Sequence, residues 1–404
     1  MKIVQINCSS NGSTGTLARA IHEALRERGD ESRFFYGIGP DAGEGTQAIC
    51  TPLECRLHTY AGRITGLHGY FSHLRTKSLL RRLEAIHPDI VHLHNLHGGY
   101  LNVGMLLGFL RIRKIPTLLT LHDCWMFTGG CPFYSDAGCM GWLNGCGSCP
   151  QMHTYPRRWL DSSRKCLRDK RRWTNGMDGL HIAAVSRWLA EEAGKSFLGN
   201  HPIHTIYNGI DTAVFQPTRT AVRRKYGIPE DAFMILGVSS LWNVPRKGLP
   251  TFLALRRQLP QNHVIVLVGL NEAQSKQLPA GIIAIGRTEN PRELAALYTA
   301  ADVFLHAGTE EAFGLIIAEA LACGTPAIVS DSTACPEIID DASGRAVNMQ
   351  DLDALCAAIT EIREKRPFTL EDCRSRSCRN FSRKKMIPAY LEVYAEMLEV
   401  RPQP

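Results

Sequence analysis

Glu311 and Glu319 have seven residues between them in segment 306–331, HAGTEEAFGLIIAEALACGTPAIVSD. Turn residues come first, Thr309 is placed to cap a helix, and the run 315–322 has helical composition. Gly324 is a C-terminal stop ahead of Thr325, Pro326 and a short strand over 327–329. Eight helical residues rise about 12 Å and rotate well past one turn, so the two carboxylates cannot flank one bond as a glycosidase pair does at about 5–9.5 Å. They suit two distant parts of one long ligand, and a nucleotide sugar, with ribose at one end and hexose at the other, is such a ligand. The competing reading gives Glu311 to the helix dipole and Glu319 to a solvated face.

Two further segments could hold phosphate. Ser9-Ser10-Asn11-Gly12-Ser13-Thr14-Gly15-Thr16 lies between a strand and a helix, where free backbone amides can approach an anion. It is neither a Walker A loop nor a dinucleotide fingerprint. Ser239-Ser240-Leu241-Trp242 runs on to Arg246-Lys247-Gly248 at another strand-to-helix junction. The forked donor of Arg246 and the point charge of Lys247 suit a diphosphate, with a solvated loop as the alternative. Asp351-Leu352-Asp353 has the form of a metal-binding Asp-x-Asp, but it opens an amphipathic helix and is better explained as capping.

Cys131, Cys139, Cys146 and Cys149 fall in a Gly-rich insertion at about 124–153, with Cys146 and Cys149 as a CxxC knuckle. Four thiolates suit a structural, tetrahedral zinc ion, and little else in such a loop would hold it. Reduced thiols and a redox pair are the alternatives, and Cys124 and His153 are nearby substitutes. His92, His94 and His97 alternate along a strand and its rim, a pattern that favours core or acceptor contacts over a metal.

The elements that must position these groups form two series. In the first, strands over 1–7, 31–36, 89–94 and 116–122 alternate with helices over 16–28, 79–86 and 101–113, the pattern of a parallel sheet. Ligands bind such sheets beyond the carboxyl ends of the strands, which places 7–15, 94–99 and the chain from His122 onward on one rim. In the second, strands over 234–239, 263–268, 282–285 and 303–306 alternate with helices over 249–259 and 292–300. Residues 206–217, IYNGIDTAVFQP, are suited to a hinge between the series, and a last helix covers roughly 385–398.

A chain of 404 residues has length for two sizeable cores. No apolar run approaches a membrane span, and the start MKIVQINCSS is not a secretory signal, so a cytoplasmic protein is expected. In that compartment fourteen cysteines argue against a disulfide framework. The formal net charge is +7, and segment 156–173 carries Arg157, Arg158, Arg164, Lys165, Arg168, Lys170, Arg171 and Arg172 against Asp161 and Asp169, a local 8 − 2 = +6. With Trp159, Leu160, Leu167 and Trp173 interleaved, it could be a basic amphipathic helix on anionic lipid or against a phosphorylated acceptor. The alternative is a solvated helix anchored by its tryptophans. No recognition module accompanies the charge, which argues against nucleic acid.

Arg246-Lys247-Gly248, Gly269, Glu311-Ala312-Phe313-Gly314, Glu319-Ala320 and Gly324-Thr325-Pro326 occur in an order that resembles family 4 retaining glycosyltransferases. Ser186, Asn208-Gly209-Ile210-Asp211 and Phe215 resemble the same family. The segments PDIVHLHNLHGGYLN and TLHDCWMFTGGC further resemble bacterial enzymes of capsule and exopolysaccharide assembly, including the colanic-acid type. The chain departs from the family at Ala307-Gly308, where Pro-Ser is common, and at Gly12-Ser13, where Gly-Gly is common.

The resemblance implies a GT-B fold: two Rossmann-like domains facing a central cleft. Residues 1–207 would form the acceptor-side domain and 208–384 the nucleotide-sugar domain, with 385–404 a C-terminal helix that could pack back on the first. It implies that Glu319 holds ribose hydroxyls, Glu311 holds donor-sugar hydroxyls, and Arg246 and Lys247 neutralise the diphosphate. Gly12, Ser13, Thr14, Gly15 and Thr16 would close over the diphosphate, and Gly269, Ala312, Phe313, Gly314 and Leu315 complete the donor site. His122 would sit near the reacting sugar, with His94, Asn95, His97 and Asp123 on the acceptor side.

Breaking a glycosyl-phosphate bond builds negative charge on the diphosphate and an oxocarbenium-like sugar, so Arg246 and Lys247 can serve without a catalytic metal. The implied activity moves a hexose, with retention, from a UDP- or GDP-sugar to a saccharide or lipid-linked saccharide for surface polysaccharide, at the inner face of the plasma membrane if the basic segment meets lipid. A nucleotide-sugar epimerase or hydrolase on the same fold, and a non-enzymatic zinc-loop binding protein, are the competing functions.

Overall fold

The computed structural model describes residues 1–218 and 221–399, and its contacts divide the chain into two compact units. One unit comprises Met1–Ile206 with the chain from Ile387 onward, and the other Tyr207–Met386.

The first unit is built on β1 (Lys2–Ser9), β2 (Glu31–Ile38), β3 (Thr46–Ala48), β4 (Ile90–Leu93), β5 (Thr117–Leu121), β6 (Leu180–Ala184) and β7 (Ile203–Thr205). They pair in the order β3-β2-β1-β4-β5-β6-β7, every pair parallel. Parallel strands covered on both faces need continuous apolar runs. The central β4, β5 and β6 are buried at every position.

The second unit repeats the plan with β8 (Phe233–Val238), β9 (His263–Val268), β10 (Ile282–Ile285), β11 (Val303–His306), β12 (Ala327–Ser330) and β13 (Gly344–Val347), ordered β10-β9-β8-β11-β12-β13 and also all parallel. The chain reverses its direction of winding between β1 and β4 in one sheet and between β8 and β11 in the other. Such switch points leave a crevice at the strand ends where ligands bind.

Two strand-to-helix junctions differ from the sequence pattern and a third agrees with it. The first helix begins at Gly12 and runs to Glu27, so Thr14, Gly15 and Thr16 lie in its first turns and the connecting loop is only Ser10 and Asn11. Gly12 permits the early start through φ +71°. Thr309 does not cap the helix Leu315–Ala322, which starts after Gly314 at φ 89° with no side-chain cap, and Thr309 N–H donates to Arg246 O at 3.1 Å. Asp351 does cap its helix, Leu352–Lys365, accepting from Ala354 N–H at 2.9 Å.

The short strands β3, β7 and β13, the strand β6, and the helices Pro52–Thr65 and Leu370–Phe381 have no counterpart in the sequence reading. The C-terminal helix, Arg383–Glu399, reaches the first unit, where Tyr394 OH lies 2.7 Å from His92 Nδ1 and Tyr390 OH 3.2 Å from Thr120 Oγ1. His92 is thus a core residue that meets the helix. Cys50 and Cys55 form a disulfide beside the start of helix Pro52–Thr65, while the other twelve cysteines are free thiols. One short-range bridge of this kind is not a framework.

Candidate active site

In the second unit the chain leaves β8, makes a short turn over Pro245–Lys247, and enters the helix Leu249–Gln258 through Gly248. This turn packs against the loop after β11. A Cβ on Gly248, whose φ is +84°, would lie 2.5 Å from Ala307 Cβ and O, so only glycine lets the two loops approach. Gly269, at the end of β9 with φ +95°, is equally confined, since a Cβ would fall 2.1 Å from Ser239 O.

The approach joins the residues that the sequence singled out. Lys247 Nζ is ion-paired with Glu311 Oε1, and His306 Nε2 lies 3.6 Å from the same oxygen. Arg246 donates from Nη1 to Glu310 O at 3.2 Å, with its Nε 3.9 Å from Glu310 Oε2. Thr333 Oγ1 accepts from Glu311 N–H at 3.1 Å, fixing the backbone that carries the carboxylate. Burial alone would raise the Glu311 carboxyl, but Lys247, His306 and Arg246 outweigh it and hold the group below its ordinary value. Burial drives His306 down to about 4, so it is neutral near pH 7.

Glu319 has the opposite character. Burial pushes its carboxyl up to about 8, and Tyr298 OH donates to its Oε2 at 3.3 Å. One acid of the pair is therefore held as a carboxylate and the other retains its proton at neutral pH. Ala312, Phe313 and Gly314 are buried between them and Leu315 is half-buried, with Phe313 packed on Tyr207 and Phe381. The sequence reading gave no role to His306, Thr333 or Tyr298, because each acquires one only through contacts between separate loops.

The first unit gathers a second set at its switch point. Asn7, at the end of β1, donates from Nδ2 to Ser9 O at 2.8 Å and to Thr14 Oγ1 at 3.2 Å, and its Oδ1 accepts from Asn95 N–H at 3.2 Å. It ties the Gly12–Ser13 helix start to the rim beyond β4. His94 lies between Gln5 Oε1 at 3.1 Å and His122 Nε2 at 3.2 Å. With the amide oxygen accepting, His94 carries its proton on Nε2, and His122 donates from its own Nε2 to His94 Nδ1.

Burial lowers His122 to about 4, so it is a neutral imidazole. Next to it, His97 Nε2 meets Asp123 Oδ2 at 2.8 Å while its Nδ1 meets Tyr155 OH at 3.2 Å. Burial opposes the Asp123 charge, but His97 and the Trp125 amide more than offset it and keep the carboxyl low. These rings enclose a cavity of about 10 Å³, room for about one water, so a substrate must meet them from the open rim.

Residues 14–214 match the family described as Glycosyltransferase Family 4, and residues 218–383 the one described as Glycosyl transferases group 1. The chain belongs to the family 4 glycosyltransferases. The Escherichia coli (strain K12) chain named as a colanic acid biosynthesis glycosyl transferase, WcaC, is 24% identical over 419 residues, covering 98% of this glycosyltransferase and 100% of that chain.

Two solved structures show the fold. Sucrose-phosphate synthase from Thermosynechococcus elongatus has 18% identity and a TM-score of 0.69, over 99% of this chain and 100% of that one. Anabaena HepE in complex with UDP has 16% identity and a TM-score of 0.69, over 98% and 100%, and has also been solved with UDP-glucose. The fold is therefore GT-B.

The cysteine-rich loop of this glycosyltransferase is held by aromatic packing. Among the described residues, the one group of three metal-type ligand atoms within 4.8 Å of one another lies elsewhere, so no three of Cys131, Cys139, Cys146 and Cys149 converge. The loop has another support. Trp142 packs on Phe127 and Tyr134 with ring centroids 5.3 and 5.1 Å apart, and the buried Arg158 donates to Gly129 O and to Cys149 Sγ, both at 3.1 Å. Burial raises the Cys131 thiol to about 11 and also raises Cys146.

The basic segment is helical only over Ser163–Thr174. Two of its cations face inward: Arg158 supports the loop, and Lys170, 1% exposed, lies 3.4 Å from the Trp125 ring centroid and donates to Thr128 O at 3.1 Å. Trp173 is held against Tyr70, whereas Trp159 and Leu160 lie before the helix and are 61% and 60% exposed. Trp159 packs edge-on to Tyr60, and on the same helix Leu53 and Leu57 are also exposed. The amphipathic surface is thus composite, drawn from helix Pro52–Thr65 and the turn at 159–160, and is not the single basic helix of the sequence reading.

Proposed function

We propose that this glycosyltransferase moves a hexose from a UDP- or GDP-sugar to a saccharide or lipid-linked saccharide acceptor in surface polysaccharide assembly, with retention of configuration and without a catalytic metal. The observation that carries the reading is the Lys247–Glu311 pair, with Arg246 one residue away, at the switch point of the second sheet. Glu311 accepts hydrogen bonds from hydroxyls of the donor hexose, and Arg246 and Lys247 stabilise the diphosphate as it departs.

Glu319 takes the ribose hydroxyls. Gly269 and the backbone of Ala312, Phe313, Gly314 and Leu315 line the donor, and the amides of Gly12, Ser13, Thr14, Gly15 and Thr16, at a helix start, offer a second place for phosphate. On the acceptor side, His94 orients His122, whose Nδ1 is left to accept from a sugar hydroxyl, while His97 and Asp123 bind acceptor hydroxyls. HepE, a GT-B neighbour, has been solved with UDP-glucose, which supports this class of donor.

No described helix is long and apolar enough to cross a membrane. The exposed Leu53, Leu57, Tyr60, Trp159 and Leu160, with Arg56, Arg63 and Arg157 nearby in sequence, suit a peripheral contact with anionic lipid at the cytoplasmic face. If zinc enters the cysteine loop, it draws Cys131, Cys139, Cys146 and Cys149 together from their present positions.

A thermal-shift series with nucleotide diphosphate sugars tests the donor assignment. A true donor at about 100 times its Kd adds about 2.7 kcal/mol to stability. A flat response to every UDP- and GDP-sugar would overturn the reading. Release of free hexose with no transfer to any acceptor would make the enzyme a hydrolase.

A further inference from the structure

We propose that His181, His204 and Glu396 form a binding site for a divalent transition-metal ion, best matched to zinc, which fastens the end of the C-terminal helix to the edge of the first sheet. His181 stands on β6 and His204 on the edge strand β7, in adjacent parallel strands where Ala183 pairs with His204. Glu396 comes from the helix Arg383–Glu399, about 190 residues later in the chain. One ligand atom from each of the three lies within 4.8 Å of the other two, the only group of this kind among the described residues.

The geometry admits a shared cation in place of the hydrogen bond between the two imidazoles. His181 Nδ1 and His204 Nε2 are 3.0 Å apart, and the ring planes are nearly parallel, at 5° with centroids 5.3 Å apart. Two nitrogens bound to tetrahedral zinc at about 2.0–2.1 Å are about 3.3 Å apart, so an ion enters with a few tenths of an ångström of adjustment. Glu396 Oε2 is 4.0 Å from His204 Nδ1, the ring nitrogen that does not meet His181, so to join an ion at His204 Nε2 the exposed carboxylate must swing round the edge of that ring.

Two imidazoles and one carboxylate suit zinc among the available divalent ions and leave a fourth position for water. The ion would act on the fold and not on the reaction. Tyr390 and Tyr394 already seat the helix on His92 and Thr120 in the middle of the sheet, and a bond to Glu396 would add a second point of attachment at the sheet edge. This inference is independent of the donor and acceptor proposed above.

The experiment uses the full chain, stripped with a chelator and then titrated with zinc or cobalt(II), reading melting temperature and the cobalt visible spectrum. The expected result is a rise in melting temperature with one equivalent of metal and cobalt d–d bands without thiolate-to-metal charge transfer. Glu396→Gln, at an exposed position that does not threaten folding, and His204→Ala should each lose the rise. A Cys131→Ser, Cys146→Ser, Cys149→Ser variant should keep it. No rise in the wild-type protein, or a rise that survives both Glu396→Gln and His204→Ala, would overturn the proposal. Thiolate charge transfer as the only cobalt signal would assign the metal to the cysteine loop and likewise overturn it.

Discussion

Lys247 Nζ and Glu311 Oε1 are in direct contact, with the two side chains only 17% and 18% exposed. A pair this sheltered depends on both members. Removing one leaves the other charge largely out of water, which for fully buried pairs costs about 3–5 kcal/mol and here, with partial exposure, roughly 1–3 kcal/mol. Lys247→Ala should therefore lower stability in urea melts by that amount, and adding Glu311→Ala should return much of it while activity stays lost. Additive losses in the double variant would show that the contact is not coupled.

Glu319 gives a pH signature with a definite sign. Its ordinary value of 4.5 is raised to about 8 in the folded chain, so between those limits the folded state binds more protons than the unfolded state. Stability falls as pH rises through that window, by roughly 1–3 kcal/mol after allowance for partial exposure. Glu319→Gln should flatten this part of the stability–pH curve and raise the midpoint near pH 8. The same variant should weaken nucleotide binding, read by titration calorimetry. An unchanged pH dependence would mean that Glu319 does not retain its proton.

Gly248 and Gly269 hold the site through backbone approach. Each combines positive φ with a neighbour closer than 3 Å to any added Cβ. Gly248→Ala and Gly269→Ala should each cost about 2 kcal/mol or more, and Gly248→Ala should also reduce transfer by separating Lys247 from Glu311. Gly108→Ala, where a Cβ meets nothing within 4 Å, is the control and should be near neutral.

The exposed apolar cluster predicts lipid binding. Replacing Leu57, Trp159 and Leu160 by Ser together should reduce sedimentation with vesicles containing anionic lipid several-fold while leaving the melting temperature within a few degrees, because all three are more than half exposed. Equal sedimentation by the triple variant would remove these residues from any membrane contact.

Much of the fold was legible because its strongest signals are local. Long apolar strands such as β9, HVIVLV, and helices with polar caps can be read from a few adjacent residues. The short β7, IHT, and β13, GRAV, carry no such pattern, since edge strands are defined by their neighbours. In the site, Arg246, Lys247, Glu311 and Glu319 were visible by type and order. Their unlike protonation was not, because it depends on Lys247 reaching Glu311 from another loop and on the burial of Glu319 beside Tyr298. The support of the cysteine loop was not legible for a related reason. Four thiols in a Gly-rich stretch suggested a metal core, while the packing of Phe127, Tyr134 and Trp142 and the inward turn of Arg158 can be seen only in three dimensions.

The most direct test of the central claim is hexose transfer by Glu311→Gln, which keeps size and removes charge, assayed with the donor found by thermal shift. The account predicts a folded protein that binds the nucleoside diphosphate and has lost transfer by at least about 100-fold, the scale seen when a positioned polar group is removed from a reacting centre. Transfer within a few-fold of the unmodified enzyme would contradict it and take Glu311 out of the donor site.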